Sequence, residues 1–343
     1  MHPKASQNTV WAYGFPRWKW KYVRRCLVGQ DVRFLSRGSA VPPIGGLLLW
    51  GMASPPPGFI EQDRILRVED GFLRSVGLGA DLIGPLSWVI DRSGLYYNAT
   101  VPSDLETLLA TADFPADLCQ RAASLRAQIL AFGLTKYTLP GKAWQRPATR
   151  RHVSLVVGQV ESDASLVFGA PGIRTNLDLL RAVRIAHPDW YLVYKPHPDV
   201  VARLRASGKG EDEAGDWCDE IVTDASMEAL LKQVDDVQVI TSLTGFEALL
   251  RGQPVTCHGL PFYAGWGLTE DKLFCPRRGR ILSLEALVAA SLILYPRYFG
   301  QKGLMQPESA IARLGVWKQR EAGRSYPFRG IYRFFLRRIA GVR

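Results

Sequence analysis

The chain has no long hydrophobic run. Its two longest apolar windows, Ile44 to Trp50 and Leu284 to Tyr295, fall well short of the roughly 20 apolar residues that a membrane-spanning helix requires. Any membrane contact is therefore expected to be peripheral. Near the N-terminus Arg17, Lys19, Lys21, Arg24 and Arg25 interrupt the first helix-like stretch, a pattern that excludes the apolar core of a signal peptide and predicts a cytoplasmic protein. Cysteine is scarce as well. The five present, Cys26, Cys119, Cys218, Cys257 and Cys275, show no paired metal-ligand spacing and suit buried, reduced thiols better than a disulfide framework. Acidic residues are in deficit, 32 against 43 Lys and Arg, and the formal net charge of +11 favours a polyanionic partner or an acidic membrane surface. No nucleic-acid-binding module accompanies that charge, so no nucleic acid is expected as a partner.

Three apolar, β-prone runs in the second half each end in a polar cluster. VSLVV leads to Gly158, Gln159 and Asp163; WYLVY to Lys195, Pro196, His197 and Pro198; VQVIT to Ser242, Thr244 and Glu247. Helix-like stretches separate them, so the runs read as parallel strands whose carboxyl ends open onto one crevice suited to a phosphorylated ligand. Two prolines fix the backbone around His197 and aim its ring out of the sheet, where it could donate a hydrogen bond or proton to a departing phosphate while Lys195 adds charge. A turn histidine at the surface fits the same residues. The hydroxyls and glycine of Thr241 to Gly245 mark a helix start, which serves equally as an anion site and as a capping device for Ser242 or Thr244.

Earlier in the chain the short runs DVRFLS, GGLLLWG, RILRV, LSWVI and LYYN read as strands, with helices between Ser103 and Phe132. After RILRV comes Glu69-Asp70-Gly71, a turn whose carboxylates could take a proton from an acceptor hydroxyl; a solvated turn is the plainer reading. Leu139 to Arg151 has the prolines and glycine of a linker. The expected domains are thus an acceptor-side α/β domain over 1–140, a nucleotide-binding Rossmann-like domain over 151–320, and a basic aromatic tail over 321–343. The fold class is α/β, GT-B-like, with two Rossmann-like domains facing across a cleft. The acids Glu211, Asp212, Glu213, Asp216 and Asp219 lack a regular ligand spacing and read as a solvated loop rather than a metal site.

An acidic E-D-G turn, an H-P pair and a Ser/Thr phosphate motif, in that order, resemble bacterial transferases that use CMP-activated sugars. EDGFLRSVGLGADL (69–82), Leu134 to Tyr137, GQVESDAS (158–165), KPHPD, TGFEALLRGQPVTCHGLPFYAGWGLTED (244–271) and LILYPRY are closer still to the KpsC capsule polysaccharide synthesis family. This resemblance implies a retaining β-Kdo transferase that uses CMP-Kdo, where Kdo is 3-deoxy-D-manno-octulosonic acid. Many members carry two transferase modules, whereas this chain holds one set of motifs. Retention implies two displacements and a carboxylate nucleophile. Asp163 is the candidate, with Glu161 as the neighbour that could be mistaken for it, and Glu69 or Asp70 would manage the acceptor proton. Gln159, Lys195, His197, Pro198, Ser242, Thr244, Gly245 and Glu247 are the expected donor-binding residues, Glu247 through the nucleotide ribose.

The donor carries a single phosphate, so no obligatory metal or other cofactor is expected. Expected partners are CMP-Kdo, a lipid-linked or Kdo-terminated glycan acceptor, the inner face of the cytoplasmic membrane and capsule-assembly proteins. Phosphate-binding groups do not read the sugar, so a CMP-sialic acid or a CDP-polyol stands as an alternative donor, and a non-catalytic assembly protein as an alternative class.

Overall fold

The computed structural model describes residues 7–76, 84–136, 138, 141–148 and 151–322. The chain begins with β1 (Thr9–Tyr13), α1 (Arg17–Cys26), β2 (Asp31–Leu35), β3 (Gly46–Trp50), β4 (Ile65–Asp70) and β5 (Ser87–Asp91). Helices α2 (Asp104–Thr111) and α3 (Ala116–Ala131) precede β6 (Val153–Val157), α4 (Ala164–Gly169), α5 (Asn176–Ala186), β7 (Tyr191–Lys195) and α6 (Pro198–Val201). There follow β8 (Glu220–Ile221), α7 (Met227–Leu231), β9 (Asp236–Val239), α8 (Leu243–Leu250), β10 (Val255–Cys257), β11 (Glu270–Asp271) and α9 (Leu284–Val288). The last elements are β12 (Pro296–Gly300), β13 (Gly303–Met305) and α10 (Pro307–Ala322). The fold is α/β with two sheets and GT-B-like, as the strand and helix alternation predicts.

Two compact units result, and they do not follow a single cut in the sequence. Of the described residues, the first holds those up to Leu95, Lys136, Thr138 and those from Ser291 to 322; the second holds Tyr96 to Thr135 and those from 141 to Ala290. The expected division at 140 and 151 differs from this in two places. Helices α2 and α3 cluster with the second unit, where Arg126 Nε donates to the Leu250 carbonyl at 2.7 Å and α3 packs on α9. The segment from 291 belongs with the first, because β12 pairs antiparallel with β5.

The first unit is a seven-stranded mixed sheet of order β13-β12-β5-β4-β3-β1-β2. Strands β2, β1, β3 and β4 are parallel, and β5, β12 and β13 each run antiparallel to their neighbours. Alternate side chains go to opposite faces, which divides its core in two. Val10, Ala12, Leu48, Leu66, Val68 and Trp88 pack with Tyr22 and Val23 of α1. Trp11, Leu47, Leu49 and Ile65 form the other layer. Strand β1 was hidden in a stretch expected to begin with a helix, and LYYN, expected as a strand, is a turn whose Tyr96 and Tyr97 rings meet edge to face at 5.3 Å.

The second unit is a six-stranded, all-parallel sheet of order β11-β10-β9-β6-β7-β8. Every residue of β6 and β9 is buried, as strands covered on both faces require. The segment expected as a linker is strapped to this unit. Arg146 makes a two-pronged contact with Asp235 at 2.9 and 2.6 Å, Trp144 Nε1 donates to Glu220 at 3.0 Å, and Lys142 pairs with Asp224 at 2.7 Å. Bidentate geometry of this kind holds a segment that composition alone marks as loose. No helix among the described residues is long and apolar enough to cross a membrane, and the tail from 323 lies outside them.

Candidate active site

In the parallel sheet of the second unit the chain runs outward from β6 to β7 and β8, then returns to the other side of β6 as β9. The reversal between β6 and β9 is the topological switch point, where open α/β sheets hold their ligands beyond the strand carboxyl ends. Gln159 and Asp163 follow β6; Ser242 and Thr244 follow β9. Gln159 joins the two loops. Its Oε1 accepts the Thr241 N–H at 2.9 Å, its Nε2 donates to Thr241 Oγ1 at 3.0 Å, and its backbone exchanges two bonds with the Asn176 amide at 2.8 and 2.9 Å. Gln159 thus shapes the loops through bonds internal to the fold. Thr241 lies in the helix-start motif read from the sequence, whereas Asn176 carries no sequence signature that would single it out.

Asp163 is exposed at the N-cap of α4, where its carboxylate accepts the Ser165 N–H at 2.8 Å. Its neighbour Glu161 is occupied by two backbone amides, those of Asn176 at 2.9 Å and Lys209 at 2.8 Å. The two carboxylates so close in sequence are therefore physically distinct. One is a surface cap at a strand end, and the other is a tie between loops.

Beyond β7, Lys195 is buried and donates to the Thr223 carbonyl at 2.8 Å; burial pushes its pKa down while Asp224 opposes the shift. His197 caps α6, with Pro198 in the first turn, and its Nδ1 accepts the Asp199 N–H at 3.1 Å. An accepting Nδ1 carries no proton, so the neutral ring holds its proton on Nε2 and acts there as a hydrogen-bond donor.

Ser242 caps α8, its Oγ accepting the Thr244 N–H at 3.2 Å and its carbonyl accepting the Gly245 N–H at 3.1 Å and the Tyr263 hydroxyl. A Cβ at Gly245 would collide with the Tyr263 ring, so packing demands glycine there. Thr244 and Glu247 are buried. The aromatic run Phe262, Tyr263, Trp266 is core, with Phe246 and Phe262 centroids 5.2 Å apart. Its loop is held by the buried Arg278, whose Nη1 donates to the Pro261 carbonyl at 2.5 Å and whose Nε pairs with Glu106 at 2.8 Å; Arg277 takes the other Glu106 oxygen at 2.6 Å.

In the first unit, Glu69 and Asp70 end β4. Gly71 lies so near Ser87 that a Cβ would strike its side chain, which forces the close turn. Asp70 is fixed by Arg74 Nε at 2.7 Å and Trp88 Nε1 at 3.1 Å. Glu69 Oε1 accepts the Asp70 N–H at 2.9 Å. Burial, then the negative charge of Asp70, lift the Glu69 carboxyl to about 7, against the pull of that N–H bond, Lys136 and Lys19. The Lys136 carbonyl in turn accepts the Arg74 and Ser75 N–H groups at 3.1 and 3.3 Å. A carboxyl that ionises near neutrality is suited to taking a proton from a hydroxyl. Among the described residues no group of three or more His, Cys, Asp and Glu converges as a metal site.

A family model described as capsule polysaccharide biosynthesis protein matches residues 60–138 and 142–298. The capsule polysaccharide modification protein LipA of Neisseria meningitidis is 47% identical over 259 residues, which are 75% of this chain and 37% of LipA. The lipopolysaccharide-processing protein LpsZ of Rhizobium meliloti is 47% identical over 238 residues, 68% of this chain and 54% of LpsZ. The chain thus spans about a third to a half of the length of these relatives. Among solved structures, the β-Kdo 2,7 transferase of Thermosulfurimonas dismutans KpsC superposes with a TM-score of 0.75 at 38% identity, covering 90% of this chain and 99% of that one. The β-Kdo 2,4 transferase of the same organism's KpsC gives 0.77 at 29% identity, covering 89% and 97%.

Proposed function

The chain belongs to the capsule polysaccharide biosynthesis family, and from that membership we propose that it is a glycosyltransferase moving Kdo from CMP-Kdo onto a lipid-linked or Kdo-terminated glycan, with retention of the β configuration. The likeness to two solved β-Kdo transferases along nearly their whole length carries this reading. In the first displacement the Asp163 carboxylate attacks the anomeric carbon and the bond to CMP breaks, leaving a glycosyl ester. In the second, the acceptor hydroxyl attacks that carbon, Glu69 takes its proton and Asp163 departs.

His197 stabilises the departing phosphate by donating from Nε2, a role supported by the Nδ1 bond that fixes its tautomer. Lys195 contributes positive charge from beneath the strand end, and the dipole of α8 adds to it through the turn of Ser242, Thr244 and Gly245. Gln159 and Pro198 hold the loops in shape, and Glu247 addresses the ribose. Asp70 orients Glu69 through its own N–H and remains tied to Arg74. With one phosphate to neutralise, these groups act without an obligatory metal. The net charge of +11 supports a peripheral location at the inner face of the cytoplasmic membrane, beside other capsule-assembly proteins.

Incubation with freshly made CMP-Kdo and a panel of lipid-linked and Kdo-terminated acceptors tests the reading. CMP release with CMP-Kdo but not with CMP-sialic acid, and a β-linked product, are expected. Release from CMP-sialic acid alone, or an α-linked product, overturns it.

A further inference from the structure

The loop between β10 and β11 packs against the first turn of α8 and is braced from several sides. Arg278 Nη1 donates to the Pro261 carbonyl at 2.5 Å and the Ala264 carbonyl at 3.3 Å, Asp271 accepts the Gly265 N–H at 2.8 Å, and the Leu282 N–H reaches the Trp266 carbonyl at 3.0 Å. From this frame the fully buried Tyr263 meets α8 twice. Its hydroxyl donates to the Ser242 carbonyl, and its ring fills the space that a side chain at Gly245 would need. The carbonyl has two lone pairs, so it takes the Tyr263 hydroxyl and the Gly245 N–H together. Burial lifts the phenol well above its ordinary pKa, so the hydroxyl keeps its proton and stays a donor.

A peptide unit is planar with its carbonyl and N–H on opposite sides, so the group that grips the Ser242 carbonyl also aims the Leu243 N–H. That amide is the one the turn leaves over. The Ser242 hydroxyl accepts the Thr244 N–H at 3.2 Å and the Ser242 carbonyl accepts the Gly245 N–H at 3.1 Å, so of the first three amides of α8 only that of Leu243 has no partner within the turn. Resting on the glycosyltransferase reading above, we infer that Tyr263 is a positioning residue for the donor, which through the Ser242–Leu243 peptide holds the Leu243 N–H ready for the donor phosphate. A hydrogen-bond donor fixed in advance needs no reorganisation when charge develops on the departing phosphate.

The test uses Tyr263→Phe, which keeps the ring and removes the hydroxyl, and compares CMP with cytidine, which lacks the phosphate. Calorimetric titration should show CMP affinity lower by roughly three- to tenfold in the variant, with cytidine affinity unchanged, since one hydrogen bond to a charged group is weakened. The kcat for CMP release from CMP-Kdo should fall by about ten- to a hundredfold. A general loosening of the fold would weaken both ligands alike. Amide NMR on wild type labelled at leucine nitrogen, with Leu243 assigned by its loss in Leu243→Met, reads the same contact and decides the matter if Tyr263→Phe does not fold. The Leu243 signal should shift with CMP and with inorganic phosphate but not with cytidine, and Tyr263→Phe should diminish that response. Equal losses for CMP and cytidine, an unchanged CMP affinity in a folded Tyr263→Phe protein, or a Leu243 amide indifferent to CMP and phosphate overturns the inference. A Leu243 amide that answers phosphate through Tyr263, in a protein that releases no CMP from CMP-Kdo, upholds the positioning and defeats only the transferase reading.

Discussion

The second unit satisfies most of its motif groups with one another, the buried Lys195 apart, whereas the first holds its E-D-G turn under tension. At the ends of β6, β7 and β9 the polar groups answer one another: Gln159 with Thr241 and Asn176, Glu161 with two amides, His197 with Asp199, Ser242 with Thr244. Around Glu69 the charges are displaced from their ordinary values, the carboxyl upward and Lys19 downward, both by burial first. Binding a ligand that always arrives with the same charge calls for fixed donors. Moving a proton calls for a group that changes state near the working pH. On the proposed function, the difference between the two regions matches the difference between those tasks.

The sharpest way to break this division is at Asp163. Asn caps a helix as well as Asp does, so Asp163→Asn should leave the melting temperature where it is and yet lower transfer by about 10,000-fold or more, since the nucleophilic charge is gone. Intact-protein mass spectrometry with donor and a poor acceptor should show a Kdo adduct on the wild type within residues 158–170. An active Asp163→Asn enzyme would leave Asp163 as a helix cap and nothing more.

Glu69→Gln comes next, with an expected loss of about 100- to 10,000-fold in transfer while CMP binding is kept. It also probes the tension directly. A carboxyl lifted from 4.5 to about 7 by folding contributes stability below its unfolded value, and that contribution fades as pH rises toward 7. Glu69→Gln should therefore melt higher than wild type at pH 8, with the gap closing toward pH 5. Thermal scans at the two pH values measure this, and a pH-independent gap would mean that Glu69 is not strained.

His197→Ala should cost about 100- to 1,000-fold in turnover, read from CMP release with the fold checked by circular dichroism. A smaller effect is expected at the latch: Gln159→Ala removes both side-chain bonds to Thr241, leaving its buried N–H unpaired while the backbone bonds to Asn176 remain, and should lower unfolding stability by about 1–3 kcal/mol. If denaturant melts instead show no change, the switch-point loops are held by something other than Gln159.

Strand periodicity made the second unit legible, because VSLVV, WYLVY and VQVIT are buried on both faces and end where the polar clusters begin. The order of the motifs also pointed to the family. The first unit was harder. TVWAY reads as the approach to a Trp-rich helix, and only its pairing between β2 and β3 makes it a strand. PRYFG pairs with β5, some two hundred residues earlier, a non-local pairing that no window along the chain can reveal. Burial is equally invisible in a string of letters. Nothing in Glu69 and Asp70 as residue types says which is salt-bridged to Arg74 and which is lifted toward neutrality, and nothing in RWKWK marks Lys19 among its basic neighbours.

The return of β12 to β5 has a bearing on how the chain matures at the ribosome. All six strands of the parallel sheet lie between residues 153 and 271, so that sheet can close as soon as this stretch has emerged. The mixed sheet, though started first, waits for Pro296 to pair with Val89, and until then β5 presents an open edge. The earlier-made half therefore finishes last. Its half-built state is the interval in which a chaperone would be needed, and premature termination before β12 would leave a protein with one finished sheet and one adhesive one.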